Sequence, residues 1–239
     1  MGLFDGLFGK SQPTSQPELK AKEQLELRTK TFELVLKTKI LSSSIAQVVF
    51  CIDASGSMTD EYRNGTVQSI VERLMPVAVK FDDNQSMETF MFSNGCTEVK
   101  PATPKNFDTY VKNVLYPAFD GCGTEYAPVM KKILQNYGKS KIPTFVIFIT
   151  DGDNSDKSAT QEIMCKASEY PIFWKFIGIG NNERFTFLEK LDDLSGRKVD
   201  NANFVQIKDI NKITDEDLYN QLMIEYPQWQ LAAKQAGIF

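Results

Sequence analysis

The sequence predicts an α/β domain: a doubly wound, mostly parallel sheet with helices on both faces and a short antiparallel edge strand. Three observations carry this prediction. From Gln47 onward, strand-sized apolar runs alternate with segments of helical spacing. The run Thr144-Phe-Val-Ile-Phe-Ile-Thr150 is apolar almost throughout, as a strand covered on both faces requires. The 239 residues, 42% hydrophobic, suffice for one substantial core with extensions rather than for two domains.

In chain order, Met1-Gly-Leu-Phe-Asp-Gly-Leu-Phe-Gly9 places Leu3, Phe4, Leu7 and Phe8 on one apolar helical face. A membrane surface or a partner could take that face, but it is short and glycine-rich, and a loosely ordered or self-docked terminus is the favoured reading. Gly2 alone does not make an acylation signal, because Gly6 stands where Ser or Thr is needed. Lys10 to Pro17 has the composition of a linker. Glu18 to Lys39 opens as a helix, while Thr31-Phe-Glu-Leu-Val-Leu-Lys37 alternates and leaves helix and strand open.

Val48–Ile52 is then the first strand, Thr66–Phe81 an amphipathic helix, Met87–Phe92 a second strand and Cys96–Val99 a short edge strand. Phe107–Leu115 and Ala127–Tyr137 have helical spacing, and Thr144–Thr150 is the central strand. Ala159–Glu169 reads as a helix, Ile172–Ile179 as a strand, Phe185–Leu194 as a helix and Asn203–Ile207 as the last strand. Thr214 opens a terminal helix, with Asp217 three residues on in place of the usual capping-box Glu or Gln. The chain divides accordingly into 1–17, a segment and linker; 18–44, an N-terminal extension; 45–213, the α/β domain; and 214–239, a helical extension whose Trp229 and Phe239 pack on the domain.

Composition removes several classes of function. There is no histidine, which excludes Ser-His and Cys-His nucleophile pairs, imidazole metal ligands and the usual near-neutral general base. The net charge of -4 provides no basic field for nucleic acid. Cys51, Cys96, Cys122 and Cys165 are scattered without a C-x-x-C pair, so neither a zinc site nor a disulfide framework is expected. With no apolar run near the roughly 20 residues of a membrane span, a cytoplasmic protein is expected.

The chemistry gathers in three loops. Asp53-Ala-Ser55-Gly-Ser57 stands where the run Ala46–Ile52 stops, and Asp151-Gly-Asp153-Asn154-Ser-Asp156 follows the central strand. If the two strands are parallel neighbours, both carboxylates leave the same sheet edge, where ligands of such sheets bind. Gly121-Cys-Gly-Thr124-Glu-Tyr-Ala-Pro128 offers Thr124 as a third hydroxyl just before a helix. Oxygen-only side chains of this kind suit a hard cation, Mg²⁺ first, with Mn²⁺ or Ca²⁺ also admitted. Without a metal, Asp53, Ser55, Ser57 and Thr124 all suit helix N-caps. Asp153 and Asp156 read as solvated turn residues, and Cys122 as a small buried side chain ahead of a redox handle.

In pattern and order these loops resemble the metal-ion-dependent adhesion site (MIDAS) of von Willebrand factor type A (vWA) domains, D-x-S-x-S followed by a distant Thr and a distant Asp, over roughly Ile45 to Ile207. The resemblance implies a Rossmann-like vWA fold in which Ser55, Ser57 and Thr124 contact the ion and Asp53 and Asp151 act mainly through waters. It also implies that an acidic side chain of a partner protein fills the open position. Thr66–Pro76, Phe81–Asn84, Gly123–Pro128 and Phe148–Asp153 further resemble the vWA proteins of bacterial tellurite-resistance and stress-response operons, and in outline those of the copines.

A competing reading is a metal-dependent phosphoryl-transfer or nuclease-like enzyme built on Asp151 and Asp153. The hydroxyl-rich ligand set and the absence of a nearby Lys or Arg clamp weigh against it. A dinucleotide site at Gly178-Ile-Gly180-Asn-Asn-Glu183 lacks its last glycine and does not follow the first strand.

Overall fold

Residues 16–180 and 185–239 are described by the computed structural model, so the readings placed on residues 1–9 and on Asn181–Glu183 lie outside the described residues. Six strands form one sheet: β1 Gln47–Asp53, β2 Met87–Phe92, β3 Cys96–Ala102, β4 Thr144–Thr150, β5 Ile172–Ile179 and β6 Ala202–Ile207, in the order β3-β2-β1-β4-β5-β6. All neighbours are parallel except β2 and β3, which form the antiparallel edge. The expected edge strand is therefore present and runs on to Ala102.

The helices are α1 Gln16–Thr38, α2 Thr59–Arg63, α3 Thr66–Phe81, α4 Tyr116–Ala118, α5 Ala127–Tyr137, α6 Lys157–Ala167, α7 Thr186–Asp192, α8 Asp215–Leu222 and α9 Tyr226–Gln235. Strand alternation distributes side chains to two cores. Val48, Phe50, Ile52, Phe145, Ile147 and Ile149 face the layer of α1, α3, α8 and α9. Val49, Cys51, Val146 and Phe148 face α5, α6 and α7. β1 and β4 are buried along almost their whole length because both of their faces are covered.

Several expectations change in detail. Thr31–Lys37 is helical, the end of α1, because Leu25, Phe32, Val35 and Leu36 make one buried stripe. Phe32 packs on Phe81 and Tyr219, with ring centroids 5.6 and 5.1 Å away. The helix begins at Gln16, inside the stretch read as linker. Phe107–Leu115 is a 3₁₀ turn, Phe107–Thr109, and a π turn, Val111–Leu115, running into α4, an irregular path closed by Pro117.

The terminal helix is two helices. Thr214 caps α8, its hydroxyl accepting from Asp217 N at 3.1 Å and donating to the Asp217 carboxylate at 2.7 Å. Glu225 then turns the chain with a left-handed φ of 67° ahead of α9, and Trp229 is buried with its ring 5.5 Å from that of Phe239.

Candidate metal centre

The site lies where the strand order reverses, between β1 and β4. Ile52 pairs with Ile149, so Asp53 leaves the sheet beside Thr150. That register lets the Thr150 hydroxyl donate to Asp53 Oδ2 at 2.6 Å, while Ser55 N donates to Asp53 Oδ1 at 2.8 Å. Both Asp53 oxygens are thus engaged, and the residue is 0% exposed. Burial pushes its carboxyl up to about 6; the bonds from Ser55 and Thr150 pull the other way, and the Asp151 charge adds to the rise.

Ser55 and Ser57 bring their hydroxyl oxygens within 3.1 Å of each other, and Ser57 Oγ donates to Asp151 Oδ1 at 2.8 Å. Four of the five expected residues therefore form one bonded chain: Thr150 links to Asp53, Asp53 to Ser55, Ser55 to Ser57, and Ser57 to Asp151. After Ser55 the backbone enters a 3₁₀ turn, Gly56–Met58, where Ser55 holds the cap position without a side-chain cap bond. Its hydroxyl is turned to the site rather than to capping.

Thr124 arrives on a loop fastened from three sides. Gly121 N donates to Ala54 O at 3.1 Å and Gly56 N to Cys122 O at 3.0 Å, joining it to the β1 loop. A side chain at Gly56 would lie 3.0 Å from Gly121 O, so that approach needs glycine. Glu125 N donates to Ser93 O at 2.7 Å, and Ser93 Oγ to Asp120 Oδ2 at 2.7 Å, joining it to the end of β2. Ser155 N donates to Thr124 O at 2.9 Å from the β4 loop.

Asp156 is not the solvated turn residue expected of it. Its carboxylate accepts from Tyr126 N at 2.9 Å and Ala127 N at 2.7 Å, capping α5 from a neighbouring loop and so locking the loop that carries Thr124. Asp153 is paired through Oδ2 with Lys157 at 2.7 Å, and its Oδ1 is buried without a hydrogen bond. Cys122 is exposed, against the expectation of a small buried side chain; its carbonyl holds Gly56 N, and its thiol reaches Asp120 O at 3.9 Å. Thr124 does not cap α5 either; Tyr126 holds the cap position and Asp156 supplies the acceptor.

The sequence reading gives the supporting residues Thr150, Tyr126 and Tyr62 no part in the site. Tyr126 packs edge-on to Phe92 and Phe148, centroids 5.5 and 4.9 Å away, and donates its hydroxyl to Thr150 Oγ1 at 3.1 Å and to Gly152 O. Tyr62 OH donates to Asp53 O at 3.1 Å. The one available signal was Thr150 itself, a hydroxyl ending an otherwise apolar strand next to an acid.

Among the described residues no three His, Cys, Asp or Glu side chains stand together as a cation cage. An ion here would need hydroxyl donors; Ser55 and Ser57 are in contact, Asp53 and Asp151 bond to them, and Thr124 stands on the loop tied to the β1 and β4 loops. The donor set fits a hard divalent cation, whose dipositive charge would oppose the rise that burial imposes on the Asp53 carboxyl.

Comparison with known proteins agrees with the fold. The family model vWA-TerF-like, described as the vWA found in the TerF C terminus, matches residues 45–239. The protein YcbR of Bacillus subtilis (strain 168) is 39% identical over 220 residues, covering 90% of this chain and 89% of its own. Among solved structures, proximal thread matrix protein 1 of the mussel byssus with a zinc-occupied MIDAS motif superposes with a TM-score of 0.56 at 18% identity, over 75% of this chain and 47% of that one, so the chain spans about half its length. A von Willebrand factor type A protein from Catenulispora acidiphila gives 0.55 at 17% identity, over 81% and 43%.

Proposed function

The chain belongs to the vWA-TerF-like family, and on that premise we propose that it is a metal-ion-dependent protein-binding module. Asp53, Ser55, Ser57, Thr124 and Asp151 hold one divalent cation, Mg²⁺ ahead of Mn²⁺ or Ca²⁺. A partner protein completes the coordination with an Asp or Glu carboxylate. The observation that carries this reading is the continuous contact Asp53–Ser55–Ser57–Asp151 at the strand switch, with Thr124 clamped beside it. The zinc-occupied MIDAS of the byssus protein supports metal binding at an equivalent motif, while the small ionic radius and retained waters of Mg²⁺ favour it here.

The hydroxyls are neutral ligands, so the ion keeps its electrophilicity for an incoming carboxylate. The usual near-neutral base, histidine, is absent, and Asp153 beside the site is tied to Lys157. vWA domains are in general non-enzymatic interaction modules, and this chain is proposed to act as one. The family membership and the relation to TerF support a place in a tellurite-resistance or stress-response type system. No helix of the described residues is long and apolar enough to cross a membrane, and a cytoplasmic location is part of the proposal.

The test is capture of partners from a lysate of the native host by the full chain, by Asp53→Ala and by Thr124→Ala, each with Mg²⁺ and with EDTA. Capture lost in EDTA and in both variants is expected; capture indifferent to all three changes contradicts the proposal.

A further inference from the structure

A polar cavity of about 340 Å³ opens beside the metal centre, walled by Glu61, Asn64, Ile179, Gly180, Lys208 and Asp209. Thr150, the last residue of β4, pairs with Gly178 one strand-width, about 4.8 Å, away, so Asp151 leaves β4 beside the end of β5 that carries the Ile179–Gly180 wall. Glu61 joins the two places. It lines the cavity, and Asp151 and Asp60 stand close enough to add to the effect of burial in raising its carboxyl.

Its Oε2 is buried without a hydrogen bond, a costly condition for a carboxylate oxygen. The other acid of the cavity is already engaged, Asp209 with Lys212 at 3.0 Å and with Asn211 N at 3.0 Å. Lys208 is exposed at the rim and makes no ion pair among the described residues. Of the charged side chains that line the cavity, Asp209 is held by Lys212 and Lys208 stands at the open rim, so Glu61 Oε2 is the buried charged atom left without a bond, with Asp151 and Asp60 close enough to act on it.

We propose that this cavity receives a Lys or Arg side chain of the partner protein, with Glu61 as its counter-charge, beside the carboxylate that binds the ion. The inference rests on the metal-dependent reading above and adds the chemistry of the partner. With the two places one strand apart, the proposal puts the two partner side chains within about three residues of each other on an extended segment, at about 3.3 Å per residue. The cation satisfies Glu61 Oε2, so the site selects a carboxylate accompanied by positive charge over an acidic tract.

The experiment is selection of a displayed random-peptide library on the Mg²⁺-loaded full chain, on Glu61→Gln and on Lys141→Ala, an exposed lysine ahead of β4 at the end of that strand away from the site. Peptides enriched on the wild type should carry an Asp or Glu with a Lys or Arg within about three residues. Glu61→Gln should lower the enrichment of the basic residue about tenfold, the scale of a lost charge-assisted hydrogen bond, while the acidic residue stays enriched. Lys141→Ala should leave both preferences in place. Enrichment of acids without basic neighbours, or a basic preference that survives Glu61→Gln or disappears in Lys141→Ala, would overturn this inference and leave the metal-dependent reading standing. A library with no Mg²⁺-dependent enrichment of acids would overturn both.

Discussion

Thr150→Val isolates the hydroxyl that aims Asp53. The substitution changes side-chain shape little, so its effect is the loss of hydrogen bonding. Four contacts go: the 2.6 Å donation to Asp53 Oδ2, the 3.1 Å approach to Gly152 O, the acceptance from Tyr126 OH at 3.1 Å and that from Gly152 N at 3.3 Å. Tyr126 keeps Gly152 O as an acceptor, so its loss is partly made good. The bond to an ionised carboxylate dominates, at about 1.5–3 kcal/mol, and the expected loss of stability is about 2–3 kcal/mol. Asp53 also loses its orientation, and groups standing behind a metal ligand typically contribute about 10–100-fold to affinity. Denaturant unfolding and calorimetric Mg²⁺ titration at neutral pH measure the two effects, and Thr150→Ser should recover most of each. A stability change below about 0.5 kcal/mol together with an ion affinity within about twofold of wild type would refute the reasoning.

Two further outcomes are expected. Lys175, 0% exposed on β5 and donating to Asn203 Oδ1, is pulled down to about 7 by burial, with Glu225 and Asp192 opposing. Its folded pKa lies below its unfolded value of about 10.4, so between about pH 7 and 10 the folded state binds fewer protons and stability rises with pH. Relative to Lys175→Met, the wild type should gain about 2–3 kcal/mol between about pH 7.5 and 9.5, at about 1.36 kcal/mol per unit; unfolding curves whose difference is constant would exclude this. Asp156→Ala should cost about 1–2 kcal/mol by uncapping α5, partly restored by Asp156→Asn, and a thermal midpoint unmoved by the change would contradict the capping role.

The parts of this molecule that could be read in advance are those whose side-chain chemistry and local pattern agree. Thr144–Thr150 announces a doubly covered strand, and Asp53, Ser55, Ser57 and Asp151 stand at the ends of β1 and β4, which the topology sets side by side, with Thr124 on the loop before α5. What escaped depends on register or on contacts between loops. Thr150 matters because Ile52 pairs with Ile149, a relation no local pattern contains. Asp156 looks like a turn residue because the amides it caps belong to a helix about thirty positions earlier. Glu225 holds a left-handed conformation that sequence assigns to Gly or Asn, so the turn between α8 and α9 is marked locally only by Pro227 in the first turn of α9. Thr31–Lys37 alternates like a strand, yet Phe32, Val35 and Leu36 are also neighbours on a helix, and packing against α3 and α8 decides.

The central claim is that these five side chains hold one cation. Electron paramagnetic resonance titration of Mn²⁺ into the full chain tests it directly, because bound and free ion are counted separately. One Mn²⁺ per chain, displaced by Mg²⁺ and weakened at least about tenfold in both Asp53→Ala and Thr124→Ala, is the predicted result. No bound ion, or an ion held equally well by both folded variants, would contradict the account.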